Sequence, residues 1–102
     1  MEELKLSYKA EKPAEKNIQI QVGVVSSGDL EVLFQSEVGD TSFSVQITSS
    51  SDNSEQRWRN LFNRLVATEK FPAGAMLIHD FSATPGVARL RIEQALEGVR
   101  YA

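Results

Sequence analysis

Apolar and polar positions alternate with period two over four stretches of this chain, and the period then changes to that of an amphipathic helix. Leu4, Leu6 and Tyr8 alternate with Lys5, Ser7 and Lys9, which predicts a short first strand with one wet face, at a sheet edge. Residues 11–16, Glu-Lys-Pro-Ala-Glu-Lys, are charged and include a proline that cannot donate to a ladder, so they read as an exposed connection. Ile18, Ile20, Val22 and Val24 then point one way while Asn17, Gln19 and Gln21 point the other. Leu30, Val32 and Phe34 repeat that alternation, so the two arms predict a hairpin that buries one face. Residues 37–40, Glu-Val-Gly-Asp, supply a second turn before Phe43, Val45 and Ile47, which alternate with Ser42, Ser44, Gln46 and Thr48. The three strands after the first are expected to form a meander.

The stretch 49–55, Ser-Ser-Ser-Asp-Asn-Ser-Glu, is rich in capping residues, and Asp52 with Glu55 three positions on approximates a capping box. Trp58, Leu61, Phe62, Leu65 and Val66 follow at i, i+3, i+4, i+7 and i+8, which predicts a helix packing Trp58 and Phe62 into the core. Residues 71–74, Phe-Pro-Ala-Gly, end that region. Ala75-Met76-Leu77-Ile78 is an unbroken apolar run, expected to be a strand inside the sheet and buried on both sides. If it pairs parallel to the strand of Phe43, Val45 and Ile47, the helix becomes a crossover. Thr84 suits an N-cap and Pro85 the first helical position, where its missing N–H is no loss. Ala88, Ile92, Ala95, Leu96 and Val99 form the stripe of this second helix, with Arg89, Glu93 and Glu97 along a solvated face. The predicted architecture is a single α+β domain over residues 1–102: a mainly antiparallel β-sheet with two helices packed on one face, in the order β-β-β-β-α-β-α.

With 102 residues, 41% of them hydrophobic, the chain supports one modest core. A net charge of −3, with 11 Lys and Arg in no dense block, argues against nucleic acid as a partner. The absence of cysteine removes disulfides, thiolate metal sites and a cysteine nucleophile. No basic-then-apolar leader opens the chain, and no run approaches the roughly 18 apolar residues of a membrane span. The expectation is a soluble, cytoplasmic protein with no membrane association.

Three constellations bear on chemistry. His79-Asp80 sets an imidazole beside a carboxylate, but neighbours on a strand point to opposite faces, so they make a poor dyad and a structural role is favoured. His79 is the only histidine and has no companion ligands at metal spacing, so no metal is expected. Thr84-Pro85-Gly86 has free backbone amides that could bind an anion such as a phosphate, but it is read first as an ordinary capped helix start. The third is Ser26-Ser27-Gly28-Asp29, turn chemistry at the tip of the first hairpin: Gly28 tolerates positive φ, and Asp29 or Ser27 can bond nearby amides. A serine without an adjacent base is a weak nucleophile. An exposed hydroxyl among small neighbours suits modification by another enzyme better than turnover.

Taken together, residues 22–33 with the Ser-Gly-Asp turn, Asp52-Asn53-Ser54 with Arg57-Trp58 and Leu61-Phe62, and the segment His79-Asp80-Phe81-Ser82-Ala83-Thr84-Pro85-Gly86-Val87-Ala88-Arg89 resemble the acyl carrier (delta) subunit of bacterial malonate decarboxylase. The likeness runs from about residue 22 to the C-terminus. It implies a non-catalytic carrier subunit with 2'-(5''-phosphoribosyl)-3'-dephospho-CoA attached to a serine through a phosphodiester. The thiol of that group would hold acetyl and malonyl thioesters while malonate is decarboxylated to acetate and CO2. Carried onto this chain, the modified residue is Ser27, with Ser26, Gly28 and Asp29 as the supporting turn. The family pattern there is Gly-Ser-Gly-Asp, so Ser26 replaces a glycine and sets a second hydroxyl beside the first. Implied partners are the acyl transferase and decarboxylase subunits and the transferase that attaches the group. Asp29 is expected to orient the serine or to engage that transferase. The gamma subunit of citrate lyase is a related alternative. An unmodified interaction module, and a hydrolase using Ser27 with His79, are alternatives of other classes; a four-helix carrier is disfavoured by the strand content.

Overall fold

Seven elements form in the order β1 (Glu2–Lys9), β2 (Ile18–Gly23), β3 (Leu30–Ser36), β4 (Ser42–Ser49), α1 (Glu55–Thr68), β5 (Gly74–Asp80) and α2 (Pro85–Arg100) in a computed structural model that describes residues 2–102. The sheet runs β1-β4-β5-β3-β2, with β4 and β5 parallel and the other three pairings antiparallel. Helix α1 is therefore the crossover between the parallel pair, and β1 is an edge strand, as the alternation and the long helix implied.

The expected meander is corrected. β2 and β3 pair as a hairpin, but β3 and β4 are not neighbours, because β5 inserts between them. The reason lies in burial: Met76 and Ile78 are almost wholly buried, and a central position between Val45, Ile47 and Val32, Phe34 covers them from both flanks. Burial on both faces is also corrected, since Leu77 and Ala75 on the opposite face are only partly covered. Both helices lie on one side of the sheet, and its other side is lined by Gln19, Gln21, Gln35 and Gln46 around Leu33 and Leu77.

The core joins that helical layer to the inward row of every strand. Phe43 sits at its centre, with ring centroids 4.5 Å from Phe71, 6.4 Å from Phe34 and 6.5 Å from Tyr8. Trp58, Leu61, Phe62 and Leu65 pack down from α1 as their spacing predicted, while Val66 turns outward and is exposed. From α2, Ala88, Ile92, Ala95 and Leu96 are buried.

The start of α1 also differs from the predicted Asp52–Glu55 box. Ser54 is the N-cap, and the carboxylate that satisfies the helix start comes from Glu2 on β1. Glu2 accepts from the backbone N–H of Asn53 at 2.7 Å, the N–H of Ser54 at 2.7 Å and the Ser54 hydroxyl at 2.6 Å. A carboxylate there also meets the positive end of the helix dipole. The Ser54 hydroxyl bond, followed by its backbone N–H, holds the Glu2 carboxyl below its ordinary pKa.

Two outcomes test this account. Phe43→Ala should cost about 3–5 kcal/mol, the range for an aromatic truncated inside a packed core, read by chemical denaturation. Because the folded pKa of Glu2 is depressed, its stabilisation is present above the unfolded carboxyl pKa and is lost as pH falls through the folded value. Glu2→Gln should therefore lower Tm at neutral pH and flatten the acid limb of the Tm-against-pH curve.

Candidate functional site

Between β2 and β3 the chain leaves the ladder at Gly23 and rejoins it at Glu31. Gly23 has φ +82°, and a Cβ there would lie 2.1 Å from the Leu30 carbonyl oxygen, so only glycine allows this exit. Val24, which the alternation put on the buried face of β2, consequently lies outside the strand and is exposed, as is Val25. The Asp29 N–H donates to the Ser26 carbonyl at 3.1 Å, closing a four-residue turn with Gly28 at its third position and φ +79°. That is the conformation a type II turn requires of its third residue. Ser26, Ser27 and Gly28 are exposed, and nothing lies within 4 Å of a Cβ built on Gly28.

This turn is fixed by residues far along the chain. The Gly28 N–H donates to the Phe81 carbonyl at 2.6 Å and the Phe81 N–H donates to the Asp29 carbonyl at 3.0 Å, extending the β3–β5 pairing beyond Leu30 and Asp80. The Asp29 carboxylate accepts from the Leu30 N–H at 2.7 Å and takes the Arg91 guanidinium of α2 through Nε at 3.3 Å and Nη2 at 3.2 Å. Arg91 first, then the Leu30 N–H, hold the Asp29 carboxyl below its ordinary pKa. Asp29 is thus a tie between turn and helix. Among the described residues, no hydrogen bond holds the Ser27 side chain.

The His79 to Gly86 segment supports the same end of the molecule. Asp80 is buried and accepts from the Ser49 hydroxyl and the Ala83 N–H, each at 2.9 Å, while its carbonyl accepts from the Ser50 N–H at 3.0 Å. One carboxylate therefore clamps the loops after β4 and β5, carrying Ser82 through φ +67°. His79 points to the other face of the sheet, with Nδ1 3.4 Å from Glu31, so the adjacent imidazole and carboxylate make no dyad. Thr84 caps α2 by accepting from the Val87 N–H at 3.2 Å. Sequence reasoning singled out Ser26, Ser27, Gly28 and Asp29, which stand together; it missed Arg91, 62 residues from Asp29, for which no local signal exists.

A cavity of about 410 Å³ opens at the opposite end of the hairpin, beside Ile18, Ser36 and Arg100. The Ser27 hydroxyl is displayed on a braced turn instead of being held in such a recess. A profile of the malonate decarboxylase delta subunit family matches residues 17–99, and the chain belongs to that family. It is 48% identical to the malonate decarboxylase acyl carrier protein of Klebsiella pneumoniae over 102 residues, all of both chains. The corresponding protein of Azotobacter vinelandii is 48% identical over 99 residues, 97% of each chain. Among solved structures, a chain of a Pseudomonas malonate decarboxylase hetero-tetramer in complex with malonate superposes with a TM-score of 0.82 at 42% identity, covering 97% of this chain and 99% of that one. These relatives favour malonate decarboxylase over the citrate lyase alternative.

The turn geometry predicts a contrast between its two glycines. Gly28→Ala should cost about 1–2 kcal/mol, the penalty for an L-residue at left-handed φ with open space around it. Gly23→Ala should cost distinctly more in the same denaturation assay, because its Cβ displaces the Leu30 carbonyl. Arg91→Ala should raise the Asp29 titration midpoint, measured by NMR. Stability that the pair supplies above the unfolded carboxyl pKa, and loses as pH falls through the depressed folded value, should disappear with it.

Proposed function

We propose that this chain is the acyl carrier subunit of a cytoplasmic malonate decarboxylase, with Ser27 Oγ as the anchor for 2'-(5''-phosphoribosyl)-3'-dephospho-CoA through a phosphodiester. The observation that carries the assignment is the exposed Ser27 on a turn whose Gly28 N–H and Asp29 carboxylate are both bonded to the body of the fold. The surroundings fit such a group. Space is open around Gly28, and the Asp29 carboxylate is paired with Arg91, which offsets its repulsion of a phosphodiester at Ser27.

When bound, the group supplies a thiol that carries acetyl and malonyl units as thioesters. The residues of this chain position it and take no part in bond making during turnover. Among the described residues, no base is hydrogen-bonded to the Ser27 hydroxyl. Acyl exchange and the loss of CO2 that converts malonate to acetate fall to the acyl transferase and decarboxylase subunits, and a dedicated transferase attaches the group. Tethering raises the acyl unit to an effective concentration of about millimolar at each partner. Ser26 stands at the first position of the turn and Ser27 at the second, directly before Gly28-Asp29 as in the family pattern, which favours Ser27 as the anchor.

Intact-mass measurement of the chain purified from its native host should show the increment of the prosthetic group, mapped to the peptide bearing Ser27. Ser27→Ala should abolish the increment and the malonate decarboxylase activity of the complex, while Ser26→Ala should keep both. An unmodified chain in a fully active complex would refute the assignment.

A further inference from the structure

All six arginines of this chain, Arg57, Arg59, Arg64, Arg89, Arg91 and Arg100, lie on the two helices, and none of the five lysines does. Helix α1 sets three arginines against Glu55 alone, and α2 sets three against Glu93 and Glu97. Outside the helices, five lysines stand among eleven carboxylates. A protein of net charge −3 therefore presents a cationic helical layer on an otherwise anionic body. Four of the arginines are engaged: Arg59 with Glu55, Arg89 with Glu93, Arg91 with Asp29 and Arg100 with Glu69. Among the described residues, Arg57 and Arg64 form no ion pair, and both are exposed.

Seven residues apart, these two stand two helical turns from each other, about 10.5 Å along one side of α1. Arg57 borders a small cleft of about 40 Å³ lined by Trp58, Leu61, Asp80, Ala83, Pro85 and Ala88. The same loop, through Phe81, braces the Ser27 turn. The free cations thus begin at the end of the molecule that displays the serine and run away from it along the helical face.

We infer that the side of α1 bearing Arg57 and Arg64 docks an acidic protein surface, carried by a partner subunit of the decarboxylase. The inference rests on the carrier reading. Charge complementarity identifies the occupant: two unpaired cations on one exposed side of the helix suit the Asp and Glu side chains of a partner. The overall negative charge opposes a polyanion such as nucleic acid. Exposed charge pairs of this kind govern encounter rate and orientation more than burial does, so the contact is salt-sensitive and reversible, as a carrier that visits more than one active site requires.

The test titrates the full-length chain into the purified partner subunits of its own malonate decarboxylase, prepared without it, at low and at physiological salt. The paired change Arg57→Glu with Arg64→Glu should weaken binding by about tenfold at low salt and flatten the salt dependence, whereas Arg57→Lys with Arg64→Lys should stay within about threefold of the wild type. Lys12→Glu, on the charged connection outside the helices, should leave affinity unchanged; all variants should keep the wild-type Tm within a few degrees, as exposed substitutions do. Wild-type affinity in the charge-reversed chain, or an equal loss in Lys12→Glu, would overturn the proposal. So would normal affinity combined with slower attachment of the prosthetic group, which would assign the arginines to that group's phosphates. The mass of the wild-type chain reports separately on the carrier reading.

Discussion

The position of the Ser27 turn depends on the hydrogen-bond ladder between β3 and β5, which continues past the end of both strands. Two further bonds, Gly28 to Phe81 and Phe81 to Asp29, convert a hairpin tip into an extension of the sheet. A free two-stranded tip of this length has little to hold it, since an isolated hairpin is marginal in water. Here the third strand supplies backbone partners, and α2 supplies a guanidinium. The reason β5 can do so is its burial: the inward row of Met76 and Ile78 fits only between strands that flank it on both sides.

Local pattern made most of the elements legible. Period-two alternation located four strands, the i, i+3, i+4 spacing located both helices, and Thr84-Pro85 marked the start of α2 to the residue. Pairing order was less legible. Nothing in residues 30–49 announces that β3 and β4 will be separated, because that outcome depends on a strand 30 residues further on competing for the gap. Long-range polar partners were hidden for the same reason. The Ser-Asp-Asn-Ser run signalled a helix start, but its carboxylate comes from Glu2, and the Asp29 side chain found its partner in Arg91; both pairings are set by tertiary geometry. The turn residues themselves were readable, since Gly28 and Asp29 carry conformational and hydrogen-bonding preferences that act within four residues.

Asp29 illustrates how structure narrowed a sequence reading. A carboxylate beside the candidate serine suggested either orientation of that serine or a contact offered to a transferase. In the fold it is already used twice, by the Leu30 N–H and by Arg91, so its contribution is to orient the turn and to keep the local charge balanced. Rigidity at the base and freedom at the hydroxyl are compatible because the bonds involve backbone and the residues on either side of Ser27.

The insertion of β5 also sets an order of events in folding. The contacts that seat β5 between β3 and β4 span more than 30 residues of chain, the kind of non-local pairing that forms late. Arg91 lies further still. The serine turn, encoded in the first third of the chain, therefore reaches its final shape only after the last strand and helix have docked. A protein that recognises the braced turn is, in effect, inspecting whether the whole domain has been made and folded.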